Sequence, residues 1–166
     1  MKAIEFCVSG RPRPKPAHEH NRGGAGGHKS AAQTAREAHI QAAFMEATKG
    51  RWEPLTGLVR LSVVAVFRLP KAEKKARREE VGRFWRTIDK DRPVQTVNDL
   101  LSTFRFANHY YYDMHRLKTP DSDNIIKLIG DALNKRAWVD DMQVQVGCCW
   151  RIWGLKDETK ILIEGV

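Results

Sequence analysis

The sequence predicts an α+β domain in which one small mixed β-sheet is packed by helices. Two observations predict it. Short runs rich in Val, Ile and aromatic residues alternate with stretches of helical periodicity, and their order reads β-α-β, inserted helices, then α-β-β. No internal repeat interrupts that order. At 166 residues the chain is long enough to bury a core without disulfides or structural metal, and we expect a single domain over 1–166.

Residues 3–9 alternate enough to form the first strand. It ends at Gly10-Arg11-Pro12-Arg13-Pro14-Lys15-Pro16, where three prolines forbid regular helix or sheet. Through Lys29 the chain stays rich in Gly, His and basic residues, with Arg11, Arg13, Lys15, Arg22 and Lys29 set against Glu19 alone. Two readings stay open here, a mobile basic arm that orders on a phosphate backbone and a solvated linker. Ser30 is the expected N-cap of a helix from Ala31 to about Lys49, with Ala35, Ala38, Ala42 and Met45 near helical spacing. Gly50 is expected to end it. Residues 58–69 form the clearest early strand, Val-rich and bounded by Gly57 and Pro70.

Residues 71–90 carry dense mixed charge, including Lys74, Lys75, Arg77 and Arg78, and read as a solvated helix. Pro93 opens a second helix whose Val94, Val97, Leu100, Leu101 and Phe104 make one apolar stripe, for core packing or for a partner subunit. Tyr110, Tyr111 and Tyr112 can stack on bases or fill an interface, with buried packing the simpler reading. The remainder reads as helix 122–134, strand 144–153, a turn near Gly154 and strand 160–164.

Charge narrows the function. There are 29 Lys plus Arg against 20 Asp plus Glu, a formal +9, which favours a polyanionic partner, most commonly nucleic acid. Cys7, Cys148 and Cys149 are too few and too badly spaced for a disulfide framework or zinc site, and adjacent strand residues point to opposite faces. A reducing compartment fits them as packing residues. With no N-terminal apolar segment, and a run at 61–67 far too short to span a bilayer, the expectation is a cytoplasmic protein with no membrane partner. No small-molecule organic cofactor is expected. No Gly-x-Ser-x-Gly elbow appears and no Cys has an obvious activating partner. The six histidines lack compact zinc spacing, although His18 and His20 lie close together.

The chemistry concentrates in Pro120-Asp121-Ser122-Asp123-Asn124-Ile125-Ile126-Lys127, then Asp131-Ala132-Leu133-Asn134, then Asp140-Asp141-Met142-Gln143-Val144. On the helix, Ile125, Ile129, Ala132 and Leu133 make an apolar face while Asp123, Lys127 and Asp131 line another edge. Helix-dipole complementarity and an Asp123–Lys127 surface pair account for part of this pattern. They do not account for a second acidic pair, Asp140-Asp141, where the next strand begins. Four carboxylates gathered from a helix start and a strand start repel one another unless a cation lies between them. Hard oxygen ligands suit Mg²⁺ or Mn²⁺, the ions that assist phosphodiester hydrolysis. A nearby lysine adds positive charge for the transition state.

These spaced motifs, together with the Gly-x-Pro-x-Pro-Lys run at residues 10–15, resemble the RusA-like Holliday-junction resolvases, crossover-junction endodeoxyribonucleases. The core of the resemblance covers about 25 residues, 120–144, with weaker agreement through about residue 70. It implies a RusA-like fold and Mg²⁺-dependent resolution of four-way DNA by paired symmetric nicks in recombination and repair. It also implies essential carboxylates at Asp121, Asp123 and Asp141, an essential lysine at Lys127, and a homodimer. Asp140 aligns with an acidic position of open role, and Asp131 is better placed to support Lys127 than to bind metal. Arg11, Arg13, Lys15, Arg22, Lys29, Lys74, Lys75, Arg77 and Arg78 are the candidate DNA-binding cations.

Two departures stand out. Lys135 occupies a position where the family often has Gly, and Asn134 is expected to take the left-handed C-cap geometry instead. Residues 71–117 look longer than the corresponding family segment and form an atypical charged, helical insertion. Two rival readings remain. A restriction-type core would use Pro120-Asp121 with Glu158-Thr159-Lys160, which leaves Asp123, Lys127 and Asp141 without a role. A non-catalytic branched-DNA-binding or architectural protein explains the charge but does not need the intact acidic set.

Overall fold

The computed structural model describes residues 2–14, 30–71, 75–76, 78–83 and 120–166. Their elements are β1 (Ala3–Ser9), α1 (Ala31–Thr48), β2 (Val59–Arg68), α2 (Ser122–Leu133), β3 (Val144–Gly154) and β4 (Glu158–Gly165). Within the charged stretch, residues 75–76 and 78–83 are helical, as read from the sequence. The expected arm at 15–29, the helix from Pro93 and the Tyr110, Tyr111, Tyr112 run lie outside the described residues.

β2 is central because its sequence permits burial on both faces. Every residue from 61 to 67 is buried, including Ser62, the pattern of a strand covered on both sides. The four described strands run in the order β1-β4-β2-β3. β2 pairs parallel with β3 and antiparallel with β4, and β4 pairs antiparallel with β1, so the sheet is mixed as expected. Along β2 and β3 the register passes from Leu61↔Val146 to Ser62↔Cys148, stepping over Gly147 in a bulge. After this step Cys149 faces the core and packs against it.

Both helices lie on one face of the sheet. Val59, Leu61, Val63, Ala65 and Phe67 project to that face at every second position of β2. There they meet Ile40 and Phe44 of α1 and Ile125, Leu128, Ile129, Ala132 and Leu133 of α2. Phe44 stacks edge-on with Phe6 at 5.6 Å and with Trp52 at 5.9 Å. Fully burying side chains of this size contributes about 1.5–3 kcal/mol each. The α+β class therefore stands.

α1 corrects one expectation. Ser30 is the N-cap, its Oγ accepting from Gln33 N at 3.2 Å, but Ala35, Ala38, Ala42 and Met45 are exposed. The inward face carries Gln33, Glu37, Ile40 and Phe44. Alanines offer little apolar area, so the two large residues decide which face turns inward. The buried Gln33–Glu37 pair satisfies itself through a 2.8 Å hydrogen bond. At the C-terminus Lys49 adopts the left-handed cap (φ 51°) one residue before Gly50 (φ 67°).

α2 shows the expected apolar face with Leu128 added. Its end differs from expectation. Asn134 has φ −55° and ψ 137°, and Lys135 takes the left-handed conformation at φ 63°. Asn134 N still donates to Gly130 O at 2.9 Å, while Arg136 N and Ala137 N both reach Leu133 O. The reversal consequently falls one residue later, at the position where the family often has Gly. β4 runs longer than its apolar core because β1 and β2 pair along both its edges and recruit the polar Glu158 and Thr159. No described helix is long and apolar enough to cross a membrane.

Candidate active site

The N-terminal end of α2 is held from outside by β3. Arg151 Nη1 donates to Pro120 O at 2.8 Å, and the Cys149 thiol donates to Ser122 O at 3.6 Å. Burial pushes the Cys149 thiol up to about 11, so it keeps its proton at neutral pH. Asp121 is the N-cap residue by backbone geometry, yet its carboxylate makes no capping hydrogen bond. Asp121 and Asp123 are both exposed, beside the positive end of the helix dipole. Lys127 Nζ lies 2.6 Å from Asp123 Oδ2, one helical turn along, as the i, i+4 spacing predicts.

At the other end of α2 a second acidic pair is held differently. Asp140 caps the 3-10 turn Asp141–Gln143, its Oδ1 accepting from Met142 N at 2.9 Å. Gln143 completes the capping box, its Oε1 accepting from Asp140 N at 2.7 Å. Its Nε2 donates to Leu55 O at 3.2 Å and to Gly57 O at 2.6 Å, which fastens the turn to the segment before β2. The fully buried Trp138 and the Leu55↔Trp138 bridge anchor the same corner. Asp140 is thus occupied in structure, and Asp141 is exposed.

The two pairs are separated by α2, whose 12 residues rise ~18 Å. Among the described residues, no three His, Cys, Asp or Glu side chains gather closely enough to hold a metal ion. The expected single cluster of four carboxylates is therefore not assembled by the described residues of one chain. Asp121 neighbours Asp123 and Asp140 neighbours Asp141, but the pairs stay apart. Chain geometry explains why. After α2 the chain turns at once through residues 134–138, so β3 begins at the far end of the helix and runs back toward its start.

Of the basic candidates, Arg11 and Arg13 are exposed on the segment after β1. That segment is tied down by Gly10 N donating to Asp157 O at 3.0 Å and by Arg36 Nη1 donating to Pro14 O at 2.8 Å. Gly10 has φ +89°, a turn that needs glycine. Lys75 and Arg78 are exposed, with Lys75 3.8 Å from Glu79. Lys15, Arg22, Lys29, Lys74 and Arg77 lie outside the described residues, as do His18 and His20. Sequence reasoning missed Arg36, Arg151 and the fastening role of Gln143. Gln143 stood inside the quoted motif, whereas Arg151 reaches a partner 31 residues away and leaves no local signal.

None of the curated proteins matches the chain. A family model described as endodeoxyribonuclease RusA matches residues 9–164, which takes in the segment after β1 and both acidic ends of α2. The chain belongs to the RusA endodeoxyribonuclease family.

Proposed function

We propose that the protein is a divalent-metal-dependent endodeoxyribonuclease that resolves four-way DNA junctions by paired symmetric nicks, acting as a homodimer whose sites are shared between subunits. The observation that carries this reading is the division of exposed carboxylates between the two ends of α2. Three hard-oxygen ligands suit Mg²⁺, with Mn²⁺ as substitute, but one chain presents them about a helix length apart. Two-fold pairing that sets Asp121 and Asp123 of one subunit against Asp141 of the second would gather the set without distorting either end.

When bound there, the ion would polarise a phosphoryl oxygen and acidify water. The chain's own residues do the rest. Asp121 and Asp123 hold the ion at a helix start that Arg151 and Cys149 keep in place. Lys127 orients Asp123 and brings its charge to the phosphate as negative charge develops. Asp140 and Gln143 position Asp141. Arg11, Arg13, Lys15, Arg22 and Lys29, with Lys74, Lys75, Arg77 and Arg78, grip the DNA backbone, so affinity falls steeply with salt as counterions are released. A two-fold dimer matches a substrate that is itself nearly two-fold, and two sites give two nicks. In this reading the chain is one cytoplasmic nuclease domain, and residues 71–117 are its atypical insertion.

The test is cleavage of a synthetic four-way junction in Mg²⁺. Native protein should give paired nicks, and Asp123→Asn and Asp141→Asn should each lose them while still binding. Co-expressing these two variants should restore single nicks, because a mixed dimer keeps one intact site. A mixture as inactive as either variant would remove the shared site. Tight binding by the native chain without cutting, in Mg²⁺ or Mn²⁺, would leave a non-catalytic branched-DNA-binding protein.

A further inference from the structure

Between the segment after β1 and the two helices lies a cavity of about 430 Å³, within the roughly 300–1,000 Å³ range of small-ligand sites. Its floor is apolar, formed by Ile40 of α1 and by Ile125 and Ile129 of α2. Its mouth is basic, with Arg11 and Arg13 exposed and Arg36 half-buried. No acidic residue lines it among the described residues. An apolar slot with cations at one edge fits a flat, weakly polar body joined to anionic groups.

We propose that this cavity receives a single unstacked base of the DNA strand being cut, with the flanking phosphates on Arg11, Arg13 and Arg36. The inference rests on the junction-nuclease reading and adds to it a pocket that selects sequence. Placement supports the assignment. Ile125 lies one helical turn, about 6 Å, beyond Asp121 along α2. The cavity, lined by Ile125, Leu128 and Ile129, and the acidic helix start therefore share the same end of α2. Extruding a base costs a few kcal/mol of stacking, which burial on an apolar floor offsets, and the cost depends on which base is moved. Charge argues against the chain's own following segment as occupant. Residues 15–29 carry Lys15, Arg22 and Lys29 against Glu19 alone, the wrong sign for a mouth of arginines.

The probe is a four-way junction carrying 2-aminopurine at successive positions around the nick, bound in metal-free buffer so that no cutting is needed. Native protein should raise fluorescence several-fold at one position only. Ala35 is exposed and lines the cavity, so Ala35→Leu narrows it while keeping a strong helix former in α1. That variant should lose the fluorescence rise, keep junction affinity within about twofold because phosphate contacts remain, and show about tenfold weaker preference among cleavage sequences. Ala42→Leu, on an exposed part of α1 outside the cavity, should behave as native. No rise at any position with native protein bound, or an unchanged rise in Ala35→Leu, would overturn the pocket. Failure of the native chain to bind the junction would instead overturn the nuclease reading, and the pocket with it.

Discussion

The two ends of α2 carry the same residue type and use it in opposite ways. At the start, backbone carbonyls of Pro120 and Ser122 take the structural bonds from Arg151 and Cys149, the Asp121 carboxylate accepts no capping hydrogen bond, and that of Asp123 accepts from the exposed Lys127. At the far end Asp140 spends its carboxylate as a cap, and Gln143 anchors the turn that presents Asp141. A carboxylate left out of capping, or held only by an exposed lysine as Asp123 is by Lys127, is available to a ligand, and one engaged in a capping box is not. Within an Asp-Asp pair, identical in charge, hydrogen bonding therefore sets the capping Asp140 apart from its neighbour Asp141.

The sharpest way to break this comparison is to substitute on both sides of it. Asp121→Asn or Asp123→Asn should lower junction cleavage at least about a hundredfold, with unfolding midpoints close to native. Asp140→Ala should do the reverse in kind. It removes a cap and should cost about 0.5–2 kcal/mol in urea unfolding, with a smaller loss of cleavage as Asp141 is held less firmly. If Asp140→Ala abolished cleavage at native stability, Asp140 would be a ligand and the division of roles would fail. Gln143→Ala is a stronger structural test, since one amide serves Asp140 N, Leu55 O and Gly57 O. It should cost about 1–3 kcal/mol by calorimetry while leaving junction binding in place.

The fold was largely legible because its signals are local. The Val-rich β2, the Ser30 cap and the Ile125–Leu133 face of α2 each follow from neighbours in sequence. Where area competed with spacing, as in α1, the alanines misled and the two large residues, Ile40 and Phe44, set the buried face. The acidic residues were also legible, as residue types in a motif. Their separation was not, because it depends on the turn at 134–138 and on the parallel pairing of β2 with β3. Arg36 and Arg151 reach backbone carbonyls far away in sequence, and nothing near them announces it.

A milder change probes the corner between the two ends. Lys135 holds φ 63° without a glycine's freedom, in a conformation that costs most residues about 1–2 kcal/mol. Lys135 is exposed, so Lys135→Gly removes no buried contact. It should raise stability by about 1 kcal/mol, after the loss from a more flexible unfolded chain, and leave cleavage unchanged. Lys135→Ala keeps the strained backbone and should show no such gain in the same urea titration.

The smallest effect belongs to the thiols that flank the sheet, and its sign follows from their protonation. Burial raises Cys149 from 9.0 to about 11, and at the exposed Cys7 partial desolvation, with the Glu158 carboxylate adding to it, raises the thiol likewise to about 11. Above pH 9 the unfolded chain releases these protons while the folded chain still holds them. The unfolded state then binds fewer protons, so stability falls as pH rises from about 9 to about 11 and is flat below that window. Cys7→Ala should shrink the slope by removing one of the two thiols, and Cys7→Ala with Cys149→Ala should abolish this part of it. At the helix start the consequence is specific, because the Cys149 proton is the one donated to Ser122 O. Metal-free junction binding need not change through this window, but the Cys149 variant alone should loosen the start of α2, seen as faster amide exchange at Ile125, whose N–H bonds Asp121 O at 3.2 Å. Equal exchange in native and Cys149→Ala would assign the hold on Asp121 and Asp123 to Arg151 alone.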